Sequence, residues 1–112
     1  MSAGDWKEMY KAATSGDLGL VQYHIQNGVD PNYQHPEILS TPLVAAIIAG
    51  HVDIAKFLLE NGADPCLRSE FDNLTPAQAA KRYDRQDVLQ WLQEKSATQT
   101  WLQKMQALFK FK

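Results

Sequence analysis

The 112-residue chain has a single cysteine, Cys66, and no long apolar run. One cysteine excludes an intramolecular disulfide, and low cysteine content is typical of proteins in a reducing compartment. The longest strongly apolar run, LVAAIIAG, is much shorter than the ~20 residues of a membrane-spanning helix. The N-terminal MSAGDWKEMYK lacks the basic and apolar segments of a secretory signal. We therefore expect a cytoplasmic protein.

Groups that support binding of polyanions or catalysis are also scarce. A formal net charge of -2 and a pI near 5.8 argue against a nucleic-acid partner and make a membrane surface an unfavourable one. The three histidines, His24, His35 and His51, have no metal-ligand spacing with Cys66, and no phosphate-binding loop or nucleophile motif occurs. We expect no catalytic residue, metal or cofactor. We expect His51 to be structural, His24 to lie on an outer face and Cys66 to be a semi-buried, inert thiol.

The sequence repeats itself. GDLGLVQYHIQNGVDP begins at Gly16, GHVDIAKFLLENGADP begins at Gly50, and a weaker third copy follows after the same interval of 34 residues. A period of this length predicts a solenoid in which each copy is one supersecondary unit.

Each copy has the signals of two helices. Thr41 and Thr75 are suitable N-caps, each followed by a proline at the first helical position, and Gln78 completes a capping box with Thr75. Asp5 and Glu8 form a similar pair in the first copy. The first helix is predicted to end at a glycine, as at Gly50, and the second at an Asn-Gly pair.

The stretch TPLVAAIIAGHVDIAKFLLENGADP resembles an ankyrin repeat, and the resemblance extends over residues 5–94. It implies an all-α solenoid of antiparallel helix pairs with a hairpin-like loop between successive pairs. We predict an ankyrin-repeat domain at 1–95 with copies at 5–38, 39–72 and 73–95, the degenerate outer copies acting as caps. The period of 34 residues is one longer than the family repeat of about 33. The extra residue lies in the connecting loop, which is therefore longer.

Residues 96–112, SATQTWLQKMQALFKFK, depart from the repeat and predict an amphipathic helix. Its apolar positions have helical spacing: Trp101, Leu102, Met105, Leu108 and Phe109. Three placements remain open: covering the exposed core edge of the third copy, docking on a partner or a membrane, or fraying. A free apolar stripe would also permit self-pairing, although we favour a monomer over a homodimer.

The resemblance implies that a protein partner binds the loop tips and the concave face of the first helices. We call residues 33–38 the first finger, residues 68–73 the second finger, and residues 14–15, 48–49 and 82–83 the helix-end positions. The predicted binding residues are Tyr33, Gln34, His35 and Glu37 in the first finger, Glu70, Phe71 and Asp72 in the second, and Ile48, Ala49, Arg82 and Tyr83 at the helix ends. Alternatively, Ile38 and Phe71 fold back and brace the fingers.

Two functions follow from these expectations. The first is a protein-binding module, an adaptor, inhibitor or regulator, that uses the fingers and the concave face. The alternative is a membrane- or assembly-associated protein that acts through residues 96–112.

Overall fold

The computed structural model describes residues 3–94, with side chains from residue 4 onward. Within this range it consists of six helices joined by loops and turns, with one isolated β-bridge between Ser69 and Leu74. The helices are α1 (Ala3–Ser15), α2 (Leu18–Gln26), α3 (Pro42–Ala49), α4 (Val52–Glu60), α5 (Pro76–Arg82) and α6 (86–94). The all-α prediction is therefore confirmed, whereas the predicted helix at 96–112 lies outside the described residues.

The helices form consecutive pairs that stack on one another. The inner helices α1, α3 and α5 lie side by side, with α3 in the middle, and each of the first two pairs is closed by contact between its own helices. The outer helices α2 and α4 also touch. Farther along the stack, the Lys56 ammonium lies 5.5 Å from the centre of the Trp91 ring, a cation–π contact between α4 and α6.

Local chemistry sets the helix boundaries in the second and third copies. Thr41 Oγ1 accepts a hydrogen bond from the Val44 amide at 3.1 Å, and Thr75 and Gln78 form the predicted capping box. Gly50 ends α3 in the left-handed region, at φ 88°, where a β-carbon is disfavoured. The first copy differs from the prediction, because α1 begins at Ala3 and Asp5 is not its N-cap. Asp5 lies in the first turn, where its negative charge interacts favourably with the helix dipole.

The core is centred on α3. Its sequence PLVAAIIA is apolar around the whole helix, and all residues from Pro42 to Ile47 are buried. A helix without a polar face is stable in water only if neighbouring elements cover it on all sides. Here α1, α4 and α5 provide that cover, and Trp6 and Met9 extend the core into the first copy with 0% exposure.

Two polar side chains lie elsewhere than predicted. His24 is buried, with 4% exposure, because it occupies the position of Leu58, which faces the interior of its own copy. Cys66 is exposed rather than semi-buried, because it lies in the loop after Pro65, outside the packed helices.

Candidate protein-binding surface

The two fingers are joined by the side chain of Gln34. Its Nε2 donates to the Arg68 carbonyl at 2.9 Å, and its Oε1 accepts from the Glu70 amide at 3.3 Å. Asn32 makes a parallel pair of bonds just before the first finger, to the Gly62 carbonyl and the Asp64 amide. Gln34, predicted to bind a partner, therefore has both ends of its amide occupied in holding the second finger beside the first.

A small buried polar network holds the second finger at its base. Ser69 Oγ lies 2.8 Å from Asp72 Oδ2 and 3.1 Å from Ser40 Oγ. Ser40 and Ser69 are both 0% exposed, so these hydroxyls depend on one another and on the Asp72 carboxylate for hydrogen bonds. Asp72, another predicted binding residue, is half-buried in this network and fixes the shape of the finger.

Phe71 projects from the tip of the second finger. Its side chain is 74% exposed, although its backbone amide is held by the Leu39 carbonyl at 2.8 Å. Leu39 itself is 39% exposed and has a φ of 58°, which a leucine rarely adopts. Of the two residues considered for bracing, Ile38 packs against the core and Phe71 does not. The finger thus presents an aromatic ring on a constrained backbone.

An aromatic cluster supports the first finger. The ring of His35 stacks on Trp6 with centroids 6.0 Å apart, and Tyr33 meets Trp6 edge-on at the same distance. Tyr10 stacks on Trp6 as well, at 5.3 Å. His35 is only 7% exposed and its Nδ1 accepts from the Glu37 amide, so it stabilises the finger from inside. Tyr33 remains 39% exposed and available for contact.

The carboxylate of Glu37 pairs with a lysine of α1. Lys7 Nζ lies 3.1 Å from Glu37 Oε2. The hydrogen bond from Lys7 lowers the Glu37 pKa from its ordinary value, and the charges of Lys7 and then His35 lower it further. Glu37 is therefore a stable negative charge on the solvent-facing side of the first finger.

The helix-end positions lie at the other end of the inner helices. Ala49, Arg82 and Tyr83 are exposed, whereas Ile48 is half-buried and packs against the core. Helix α3 has eight residues and is about 12 Å long, and its helix-end positions lie at the end opposite the loop that carries the first finger.

Carbonyl groups at the helix ends bind side chains from the next copy. His51 Nε2 lies 3.1 Å from the Thr14 carbonyl oxygen, which gives His51 the structural role expected. Arg85 donates to the carbonyls of Ile47 and Ile48 at 2.9 and 3.0 Å. The helix ends therefore have a fixed backbone from which exposed side chains project.

Sequence reasoning missed two exposed apolar residues. Leu39 lies beside Phe71, but a leucine next to Ile38 gives no sign that it faces solvent. Tyr23 is 58% exposed on α2, away from the fingers, and aligns with Phe57 and Trp91, both half-buried. The exposure of Leu39 follows from the tertiary arrangement of its loop, which the sequence does not reveal.

The described residues hold no cluster of three or more His, Cys, Asp or Glu suited to a metal ion. Among residues 3–94, no helix is both long enough and apolar enough to cross a bilayer.

A comparison with protein families matches residues 9–103 to ankyrin repeats (3 copies). A comparison with curated proteins finds no significant match. Ankyrin repeats generally serve as protein–protein interaction modules and are typically not catalytic. Because the match includes most of the chain and agrees with the stacked helix pairs, this protein belongs to the ankyrin-repeat family.

Proposed function

We propose that this protein is an adaptor, inhibitor or regulator that binds one protein partner through the tips of its two fingers and its exposed helix-end residues. The direct contacts are assigned to Tyr33, Leu39, Glu37, Glu70, Phe71, Ala49, Arg82 and Tyr83. Gln34, His35, Ile48 and Asp72, which are buried or half-buried, act by holding these residues in place.

The exposure of Phe71 is the observation that carries the proposal. Phe71 is 74% exposed and contributes little to the stability of the fold, because most of its apolar surface stays in water. Its backbone is nevertheless fixed by Leu39, and its finger by the buried Ser40, Ser69 and Asp72 network. Rigid presentation of an exposed aromatic residue lowers the entropy cost of binding, and aromatic residues often dominate interface energies.

The surface has mixed chemistry suited to a protein partner. Phe71 and Leu39 form an apolar tip, and the carboxylates of Glu37 and Glu70 lie on the same two fingers. Arg82 and Tyr83 add a basic and an aromatic side chain in the helix-end zone. An apolar centre with a polar rim is the usual composition of an interface, for which about 800 Å² per partner is typical.

The proposal is tested by capturing proteins from a lysate of the native host with three forms of the full chain. These are the wild type, a Phe71→Ala/Tyr83→Ala variant, and Tyr23→Ala as a matched control. Tyr23 is also an exposed aromatic residue but lies on α2. We expect one protein to be retained by the wild type and by Tyr23→Ala and lost by Phe71→Ala/Tyr83→Ala.

Circular dichroism must first show equal helical content in all three forms. Equal capture by the wild type and by Phe71→Ala/Tyr83→Ala would contradict the proposed surface. Loss of capture in Tyr23→Ala alone would place binding on the outer helices instead.

We further propose how and where the protein acts. The protein acts by binding and not by catalysis, which the absence of any recognisable catalytic motif in the sequence supports. It works in the cytoplasm as a monomer, a location supported by its single cysteine. The alternative, action through residues 96–112, concerns a segment outside the described residues.

A further inference from the structure

The third copy has an apolar groove on the face that a following copy would cover. It has a volume of about 250 Å³, and its lining includes Cys66, Ala77, Lys81, Leu89, Leu92 and Gln93. The helix residues among these align, 34 positions earlier, with Leu43, Ile47, Ala55, Leu58 and Leu59, which are all buried in the second copy. The groove is thus the counterpart of a surface that the stack hides one copy earlier.

A second depression continues this groove along α6. It has a volume of about 350 Å³ and shares Leu89 and Gln93 with the first, and Asp87 contributes a carboxylate to its lining. Together the two depressions give α6 an elongated face that is apolar around the half-buried Leu89, with Lys81 lining its first part and Asp87 its second. Such a face fits an amphipathic segment.

Residues 95–112 have this chemistry. They contain four of the eleven basic residues of the chain and none of its thirteen acidic residues. The first 94 residues accordingly hold seven basic and thirteen acidic residues, a formal charge of -6, against +4 for the remainder. Opposite net charges favour association of the two parts, and the five large apolar residues from Trp101 to Phe109 supply surface to bury.

The chain also has the required reach. Helix α6, which lines both depressions, ends the described range at residue 94, so residues 95–112 start beside the groove. The six residues 95–100 can extend up to ~20 Å, enough to return the following apolar residues along α6. A tethered segment also has a high effective concentration at a neighbouring site, which favours it over a free partner.

We propose that residues 96–112 of the same chain occupy this groove and close the open end of the stack. The proposal assigns the apolar side of the segment, which includes Trp101 and Leu102, to Leu89 and the loop at Cys66. The proposal assigns the lysines of the segment to the solvent side. This proposal is independent of the finger surface and stands whether or not the fingers bind a partner.

The single cysteine makes the test specific, because Cys66 lies in the groove and is the only thiol of the chain. The reaction rate of Cys66 with 5,5′-dithiobis(2-nitrobenzoic acid) is measured in the full chain, in Trp101→Ser/Leu102→Ser, and in Gln103→Ala/Gln106→Ala. Thiol reaction requires access, so an occupied groove slows it. We expect the apolar double variant to react about tenfold faster than the wild type, as for a groove occupied ~90% of the time. The glutamine control should react at the wild-type rate.

Equal rates in all three proteins would overturn the proposal, provided that circular dichroism shows them equally folded. Slower reaction of the wild type as its concentration rises would also overturn it, because the occupant would then be a second copy. An independent measurement is disulfide formation under mild oxidation in Met105→Cys and Gln106→Cys. A monomeric disulfide to Cys66 that forms faster from position 105 than from 106 supports the assigned apolar face, and no such disulfide in either variant contradicts it.

Discussion

Arg85 stabilises the end of the helix in the preceding copy, since its Nη2 donates a hydrogen bond to the carbonyl oxygen of Ile48 at 3.0 Å. Thirty-four positions earlier, His51 makes the equivalent contact with Thr14. The last carbonyls of a helix have no partner within the helix, and a cation is favourable at that end. The two contacts are therefore one repeated link between neighbouring copies, made by different side chains.

Loss of this link should destabilise the stack. In Arg85→Met both hydrogen bonds to α3 are removed while much of the aliphatic stem is kept. We expect the free energy of unfolding to fall by about 1.5–3 kcal/mol, the range for bonds that involve a charged group. Urea denaturation measures the change. Arg82→Met is the control, because Arg82 is exposed, and it should change stability by less than ~0.5 kcal/mol. Similar losses in both variants would contradict the role of Arg85.

The buried His24 should be replaceable by an apolar residue. Its Nε2 lies 3.5 Å from Glu8 Oε1, too long for a charge-assisted hydrogen bond, and has no hydrogen-bond partner among residues 3–94. His24→Leu introduces leucine, the residue present at the aligned position 58. Because a buried polar atom without a good partner is removed, we expect the melting temperature to rise and the free energy of unfolding to increase by about 1 kcal/mol.

The same substitution at His51 is the control for this prediction. His51→Leu removes the contact with the Thr14 carbonyl, so it should lower the melting temperature. If His24→Leu also lowers it, the Glu8 contact contributes more than its length suggests.

The link between the fingers should be visible in amide exchange. Gln34→Ala removes the acceptor of the Glu70 amide and the donor to the Arg68 carbonyl. We expect the Glu70 amide to exchange with deuterium about tenfold faster, since a lost bond of ~1.4 kcal/mol corresponds to that factor. Gln26→Ala, a change at an exposed glutamine of α2, should leave this rate unchanged. Unaltered exchange in Gln34→Ala would show that the second finger is held by its own network alone.

The ion pair of Glu37 should be detectable by titration. Carboxyl NMR should give Glu37 a pKa below 4.5, and Lys7→Met should raise this pKa because it removes the main cause of the shift. Lys11→Met should leave the Glu37 pKa unchanged, since Lys11 forms no contact with it among the described interactions. Equal shifts in both variants would mean that general charge, not the Lys7 contact, sets the value.

The sign of the associated pH dependence follows from the direction of the shift. A lowered folded-state pKa means that the Glu37–Lys7 pair contributes stability above pH ~4.5. That contribution is lost as the pH falls through the folded-state pKa. Because Glu37 is a surface residue, the difference between wild type and Lys7→Met should be small at neutral pH and absent in strong acid.

Features that depend on local chemistry were predicted correctly from the sequence. The cap at Thr41, the capping box at Thr75 and the stop at Gly50 each involve residues within one turn of each other. The 34-residue period then indicated how the helix pairs are repeated. The start of α1 was missed, because Asp5 suits both an N-cap and the first turn of a helix.

The functions of side chains across copies could not be predicted in this way. Gln34 and Asp72 look like ordinary loop residues in the sequence, and their partners Arg68 and Ser40 become adjacent only when the loops stack. His35 supports the first finger because its ring stacks on Trp6, which lies 29 positions earlier in the sequence. Phe71 and Ile38 were equally plausible as braces, and only tertiary packing distinguished them.

The amide bridges from Asn32 and Gln34 give the protein a built-in direction. Each joins its own loop to the next one along the chain, yet the aligned residues one copy later are Cys66 and Arg68, which lack the paired donor and acceptor of an amide. The copies are therefore not interchangeable modules. Swapping the first and second would break the bridges even though each keeps its own helices, so the order of the repeats is itself encoded in polar loop residues.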